Sequence, residues 1–272
     1  MPTVKFKVLQ INIGQGGRLD DIIDLVRHTG ADICGFQELR RPEAEIAEAL
    51  GYNFLDQGCG QGIASKFPIL GTTPECGAVI KIQDGAKIVF NNHHFFYKPY
   101  GPYQVHGIEY CGYPFVSTAE EAIAEALKAR GEDVAQFIRE LARAGTMPVI
   151  ATVDLNEPSH RDWTIAAALL GRHRTAVEWP ATKAFENARL VDAYREIFPD
   201  EISHPGFTWT TSKSQDDPSE HHDRIDLVFY RGGGLRAVAA YIVGEDSRWA
   251  DIVFSPYSSD HRAVLIEFER TY

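Results

Sequence analysis

An α/β fold is predicted for this chain of 272 residues, on three observations. Short apolar segments with strand-like patterning alternate along the chain with segments of helical periodicity. Neither kind is confined to one half of the sequence. No internal repeat and no Ser/Gly-rich linker divides it, so residues 1–272 are expected to form a single domain. A hydrophobic fraction of 44% and a charged fraction of 24% exclude disorder over most of the length, and a chain of this size can bury a substantial core.

The elements follow in order. Residues 4–11 alternate apolar and polar and read as a strand, after which Leu19, Ile22, Ile23 and Val26 recur at helical spacing up to a closing Gly30. The apolar run 31–36 is a buried strand ending in Gln37 and Glu38. Pro42 is placed to open a helix and Gly51 to end it. Segments 77–82 and 86–91 flank Asp84-Gly85, a hairpin signal. Residues 92–116 are dense in Tyr, Pro, Gly and His and read as a long irregular loop that shapes a substrate site. Ser117 and Glu120 form a capping box for a helix to about residue 144. Further strands are expected at 147–153, 207–211, 224–230, 235–243 and 263–269.

Charge and composition narrow the function. The 27 Lys and Arg against 38 Asp and Glu leave a formal charge of -11. The basic residues Lys81, Lys87 and Lys98 are scattered, whereas tight polynucleotide or anionic-membrane binding needs them clustered. No apolar run approaches the roughly 18 residues of a membrane span. With a strand expected to start almost at Met1, no signal peptide is expected, which suits a cytoplasmic protein or a secreted one made without its leader. Cys34, Cys59, Cys76 and Cys111 show no zinc-like spacing; Cys34 is expected in the core, and Cys59 with Cys76 is the one candidate pair.

The informative pattern is polar residues placed where apolar strands stop. Asn12 follows 8–11, Glu38 follows 33–36, and Asn91, Asn92 and His93 follow 88–90. Asp154 and Asn156 follow 149–153, and Asp260 and His261 precede the last strand. Asp226 lies inside the apolar run 225–229, where a charge is costly unless paired. Any one of these is explained as a cap, a turn former or a satisfied buried group. Six together call for a common site.

The segments carrying them are 9–13, 33–38, 89–93, 154–156, 224–228 and 259–264. In that order, and almost end to end, they resemble the endonuclease/exonuclease/phosphatase superfamily, the metal-dependent phosphohydrolases that include DNase I-like and exonuclease III-like enzymes. The resemblance implies a four-layer α/β sandwich: two mixed β-sheets face to face, flanked by helices, with the site at one end. It implies that Asn12, Glu38 and Asp260 are oxygen ligands for Mg²⁺ or Mn²⁺. Asp154 would orient or deprotonate the attacking water, and Asn156 would hydrogen-bond that water or a phosphate oxygen. His261 would contact the phosphate, with Asp226 fixing its tautomer, and His93 would donate to a phosphate oxygen or to the leaving group. One departure is Val153, where the family commonly has Gly.

Recognition is expected from Tyr97, Tyr100 and Tyr103, three phenols in seven residues, which either stack on a base or sugar or give the loop its own small core. His106 extends the same stretch. Segment 157–164 resembles a subset of bacterial members in which His160 and Trp163 lie beside the scissile group, and Trp209 of the family's Gly-x-Thr-Trp is expected in the core. The loop 214–223, with Asp216, Asp217, Glu220, His221, His222 and Asp223, is either a second cation site or a solvated surface loop. The expected activity is metal-dependent hydrolysis of a small phosphodiester or phosphomonoester. Cleavage of DNA or RNA is the alternative, and an inactive binding module is disfavoured because all the site residues are retained. The small phosphorylated substrate is the expected partner; the oligomeric state stays open.

Overall fold

The computed structural model describes residues 3–14, 17–39, 44–74, 77–83 and 85–271. Among them, two mixed sheets form the centre. The first has seven strands: β1 (Thr3–Asn12), β2 (Ile33–Gln37), β3 (Asn53–Gly58), β4 (Gln61–Ser65), β11 (Leu235–Gly244), β12 (Ile252–Val253) and β13 (Ala263–Thr271), in the spatial order β12-β11-β13-β1-β2-β4-β3. The second has six: β5 (Ile69–Thr72), β6 (Ala78–Lys81), β7 (Lys87–His94), β8 (Val149–Asp154), β9 (Val191–Asp192) and β10 (Asp226–Arg231), in the order β5-β6-β7-β8-β10-β9. Helices α1 (Leu19–Thr29) and α2 (Ala44–Leu50) cover the first sheet; α4 (Ala119–Ala142) and α6 (Pro180–Asn187) cover the second. The short helices α3 (Gly101–His106), α5 (Ile165–Leu169) and α7 (Ala193–Ile197) lie in connections. This is the four-layer sandwich expected.

Strand periodicity explains the layers. Phe6 and Val8 of β1 face inward with Ile33, Phe90, Ile150, Val228 and Phe268, while Leu9 and Ile11 face outward onto Ile22, Leu25 and Val26 of α1. Val89, Val149, Ala151, Val153, Leu227 and Phe229 face the other way, onto Val134, Phe137 and Phe185 of α4 and α6. Strands buried on both faces read as unbroken apolar runs, and each such side chain contributes about 1.5–3 kcal/mol of burial. Val153 is one of them, fully buried on the outer face, so the departure from the family's glycine leaves the site side chains unobstructed.

Direction then gathers the polar ends. β1 runs parallel to β2, and β7 parallel to β8, so Asn12, Gln37, His94 and Asp154 stand at strand C-termini. β10 is antiparallel to β8 with Asp226 opposite Asp154, and β13 is antiparallel to β1, which brings its N-terminal approach, Asp260-His261, to the same end. The last inward positions of these strands are polar: Gln10, Asn12, Gln37, Asn92, Thr152, Asp154 and Asp226, all buried. Gln10 Nε2 donates to Gln37 Oε1 (2.7 Å) and to Asp226 Oδ1 (3.0 Å), and Thr152 Oγ1 donates to Asn92 Oδ1 (3.0 Å). The inter-sheet core thus turns from apolar to hydrogen-bonded as it approaches the site.

Several expectations are corrected. The capping box lies one residue later: Thr118 Oγ1 accepts from Glu121 N–H and Glu121 Oε2 accepts from Ser117 N–H, because Thr118 is the N-cap. Residues 92–116 are not irregular throughout, since β7 runs on to His94 and 101–106 are helical. Segment 207–211 is not a strand; Trp209 makes only isolated bridges, to Asp223 and His261. Gly30 closes α1 as expected, left-handed at φ 66° with its N–H bonded to Val26 O. Pro42, Asp84 and Cys76, and with the last the pairing to Cys59, lie outside the described residues; Cys34 is buried.

Candidate active site

At the polar end of the sandwich a cleft of about 610 Å³ opens, floored by Glu38, His94, Asp154, Asn156, Asp260 and His261. Asp154, at the end of β8, is fully buried. Its Oδ2 accepts from Asn12 Nδ2 (2.7 Å) and lies 3.3 Å from His94 Nε2, while its Oδ1 accepts from Asn156 N–H (3.0 Å). Burial first, then the nearby Asp226 carboxylate, pushes its pKa upward. Asn12 Nδ2 also reaches Glu38 Oε1 (3.2 Å), so this one amide straps two carboxylates together. Glu38 and Asn156 both adopt left-handed backbone, at φ 58° and 50°. Non-glycine residues in that region cost energy and concentrate at functional sites.

His261 Nδ1 donates to Asp226 Oδ2 at 2.9 Å, both groups being buried. Burial alone works against an imidazolium, but Asp226, with Asp154 and Asp260 beyond it, outweighs that and holds the pKa up to about 10. With Nδ1 taken, Nε2 is the nitrogen left to a ligand. Asp226 is fixed in turn by Gln10 Nε2, and Ser259 Oγ ties the segment before His261 to Asn12 O (2.7 Å). These links join β1, β10 and the approach to β13 into one frame.

The residues present fit a hard divalent cation. Glu38 and Asp260 line the same cleft. Asp260 Oδ1 is buried with no hydrogen-bond partner among the described residues, and a Cβ on Gly14 would stand 2.0 Å from it, so glycine is required there on space as well as on its φ of 64°. Oxygen donors of this kind suit magnesium or manganese. Of Asn12, expected as an oxygen ligand, Oδ1 accepts from Gly14 N–H (2.9 Å) and Nδ2 donates to the Glu38 and Asp154 carboxylates.

His93 is displaced from the site. One residue along a strand inverts the face, so His93 points outward and packs on Phe95 (4.3 Å between ring centroids) and Phe137 (5.4 Å), while His94 enters the cleft. Both faces of β7 are buried, so alternation alone does not say which histidine turns inward. Tyr97, Tyr100 and Tyr103 do line the cleft, with Tyr110, Cys111, Ile225 and Trp209. Tyr100 OH donates to Asp223 Oδ2 (2.8 Å) and Tyr103 OH to Glu220 Oε1, and the rings meet edge to face at 4.7 Å. They are therefore a packed small core and a cleft wall at once. From α4, the buried Arg130 pins this wall by donating to Phe96 O (3.0 Å) and Pro99 O (3.1 Å), itself paired with Glu157.

Trp209, expected in the core, instead stands in the cleft wall with its ring 4.9 Å from that of His261. Trp163 is the reverse case: it is 1% exposed, stacked on His173 and packed on Trp179, away from the cleft. His106 is with it, stacked on His221. His160 faces a separate surface pocket, where its ring meets Thr182 Oγ1 (2.8 Å) and Glu186 Oε2 (3.2 Å). The loop 214–223 is solvated only in its first part; Glu220, His222 and Asp223 are buried.

A family model described as "Endonuclease/Exonuclease/phosphatase family" matches residues 9–261. An uncharacterized protein of Caenorhabditis elegans is 29% identical over 212 residues, covering 73% of this chain and 65% of its own length. The chain therefore spans just under two thirds of that relative. Among solved structures, a humanized form of TDP2 from D. rerio aligns with a TM-score of 0.61 at 17% identity, over 97% of this chain and 98% of the other. The same D. rerio protein has been solved with a single-strand DNA product (TM-score 0.59, 16% identity, 97% and 98% covered). An AP endonuclease from Archaeoglobus fulgidus aligns at 0.56 with 17% identity, over 96% and 98% of the two chains.

Proposed function

Since the chain belongs to the endonuclease/exonuclease/phosphatase family of phosphoester hydrolases, we propose that it hydrolyses a small phosphodiester or phosphomonoester by in-line attack of water. The observation that carries this is the cleft itself. Its volume of about 610 Å³ is that of a small-molecule site, and its carboxylate and imidazole floor meets a wall of four tyrosines and Trp209. That wall suits an ester whose organic part is a base, another flat ring or a sugar, held by stacking and apolar contact.

The roles follow from the hydrogen bonds. Asp154, held through both oxygens, is placed to orient a water and take its proton; its raised pKa makes it a better base than a free carboxylate. Asn156 Nδ2 bonds Phe95 O, so Asn156 contributes here chiefly by fixing Asp154 through its N–H. His261, charged because of Asp226, offers an N–H to a phosphate oxygen. His94 replaces His93 as the second imidazole of the cleft. Glu38 and Asp260, with the Asn12 amide beside them, would hold Mg²⁺ or Mn²⁺, which when bound offsets negative charge on the phosphate.

A nuclease is the second reading, favoured by the DNA product bound to the D. rerio neighbour. The decisive experiment is a metal-dependent screen over mononucleotides, sugar phosphates, small phosphodiesters, phospholipid head groups and long DNA and RNA, repeated across a salt series. Turnover of a small ester that EDTA abolishes and Mg²⁺ or Mn²⁺ restores supports the reading. Robust cleavage of long polynucleotide with a steep salt slope overturns it.

A further inference from the structure

We propose that His106, His173 and His221 form a second metal site, for a transition metal of the zinc class, behind the tyrosine wall and separate from the catalytic cleft. The three imidazoles come from distant segments: the last turn of α3, the connection after α5, and the loop before β10. Each offers a ligand nitrogen, and these atoms all lie within 4.8 Å of one another. His173 Nδ1 and His221 Nε2 are 3.1 Å apart. Two nitrogens bound at about 2.0–2.1 Å to one tetrahedral zinc would stand about 3.3 Å apart, so the pair is already near ligating distance.

The surroundings are those of a built site. His106 Nε2 is buried and has no hydrogen-bond partner among the described residues, an expensive arrangement for a polar atom. Trp163 stacks on His173 (4.0 Å between centroids) and sets its orientation, while His106 and His221 stack face to face (3.9 Å), so one of these two rings must turn to bring both nitrogens in plane with a shared metal. Asp223 Oδ1 lies 3.7 Å from His221 Nε2 and accepts from Trp163 Nε1 (2.8 Å). The side chains that donate to this buried carboxylate, Trp163 and Tyr100, are neutral, and a cation beside it would compensate its charge.

Donor chemistry separates the two sites. Imidazoles select zinc-class ions, whereas the oxygen set at Glu38 and Asp260 suits magnesium or manganese. Position suggests the use. Asp223 anchors Tyr100, and neighbouring Glu220 anchors Tyr103, so a metal here would cross-link the segments that hold the cleft wall. Because residues 106, 173 and 221 are far apart in sequence, such a link closes long loops, where the gain in stability is greatest in principle.

The test uses the full chain, stripped with chelator and dialysed against Zn²⁺ in the presence of excess Mg²⁺. One tightly held zinc per chain and a raised Tm are expected. In a parallel sample, Co²⁺ in place of zinc should give the visible absorption of tetrahedral coordination. His173→Ala and His106→Gln should each weaken zinc binding by more than about 100-fold, while Glu38→Gln/Asp260→Asn should retain it. The wild-type measurement stands whether or not the histidine variants fold. Absence of stoichiometric zinc and of the cobalt spectrum in the wild-type chain overturns the proposal. So does zinc that is lost in Glu38→Gln/Asp260→Asn but kept in folded His173→Ala.

Discussion

Two side chains, Asp154 and His261, are each oriented before any substrate arrives. Asp154 is gripped by the Asn12 amide and the Asn156 N–H, and His261 by Asp226. Such prior orientation means that replacing either should cost chemistry rather than folding. Asp154→Asn and His261→Ala should each lower kcat by about 10²- to 10⁴-fold with an unchanged circular dichroism spectrum; near-wild-type turnover in either would reject the assigned roles. The neighbouring histidines make a sharper test. His94→Ala should depress kcat with little change in Tm, since His94 lines the cleft and meets Asp154. His93→Ala should do the opposite, losing about 1–2 kcal/mol of stability with its contacts to Phe95 and Phe137. Paired kinetic and melting measurements on the two variants decide between them.

At the scale of elements, the site depends on how connections are tied down. Asp162 is the hinge of a buried network: Arg195 Nε donates to its Oδ1 at 2.6 Å, and Arg224 reaches both Asp162 Oδ2 (3.0 Å) and Asp192 Oδ2 (2.8 Å). This couples the segment after β8 to α7 and to the entry of β10. Removing the carboxylate leaves two guanidinium groups buried with too little compensation, so Asp162→Ala should destabilise by about 3–5 kcal/mol, measured by urea denaturation. The cap of α4 is a smaller and more local term. Thr118→Ala should cost about 1 kcal/mol, and Ser117→Ala less, because Thr118 Oγ1 is the acceptor for the first turn. Equal losses at the two positions would contradict the observed N-cap.

Across the whole molecule, the charge of -11 bears on partner choice. Long-range repulsion of a polyanion falls with salt, whereas a small ester is handled by contacts within the cleft. Long single-stranded DNA added to a small-ester assay at low salt should therefore leave the initial rate unchanged; strong inhibition would point to a polynucleotide site. Much of the architecture is legible in the sequence, because strands buried on both faces are apolar runs and their polar ends interrupt those runs visibly. Asn12, Glu38, Asp154, Asp226, Asp260 and His261 are recognisable on that ground alone, and the structure gathers them at one end. What the sequence could not decide is facing and distance. Alternation marks His93 and His94 as opposite without saying which is inward, since both faces of β7 are buried. Trp163 and Trp209 are equally apolar, yet one is sealed beneath the cleft wall and the other forms it. His106, His173 and His221 are three unrelated histidines along the chain, and only the tertiary structure brings them together. Local pattern is set by solvent exposure of each segment, but the meeting of distant side chains is set by how sheets and connections pack, and a linear pattern carries no record of that.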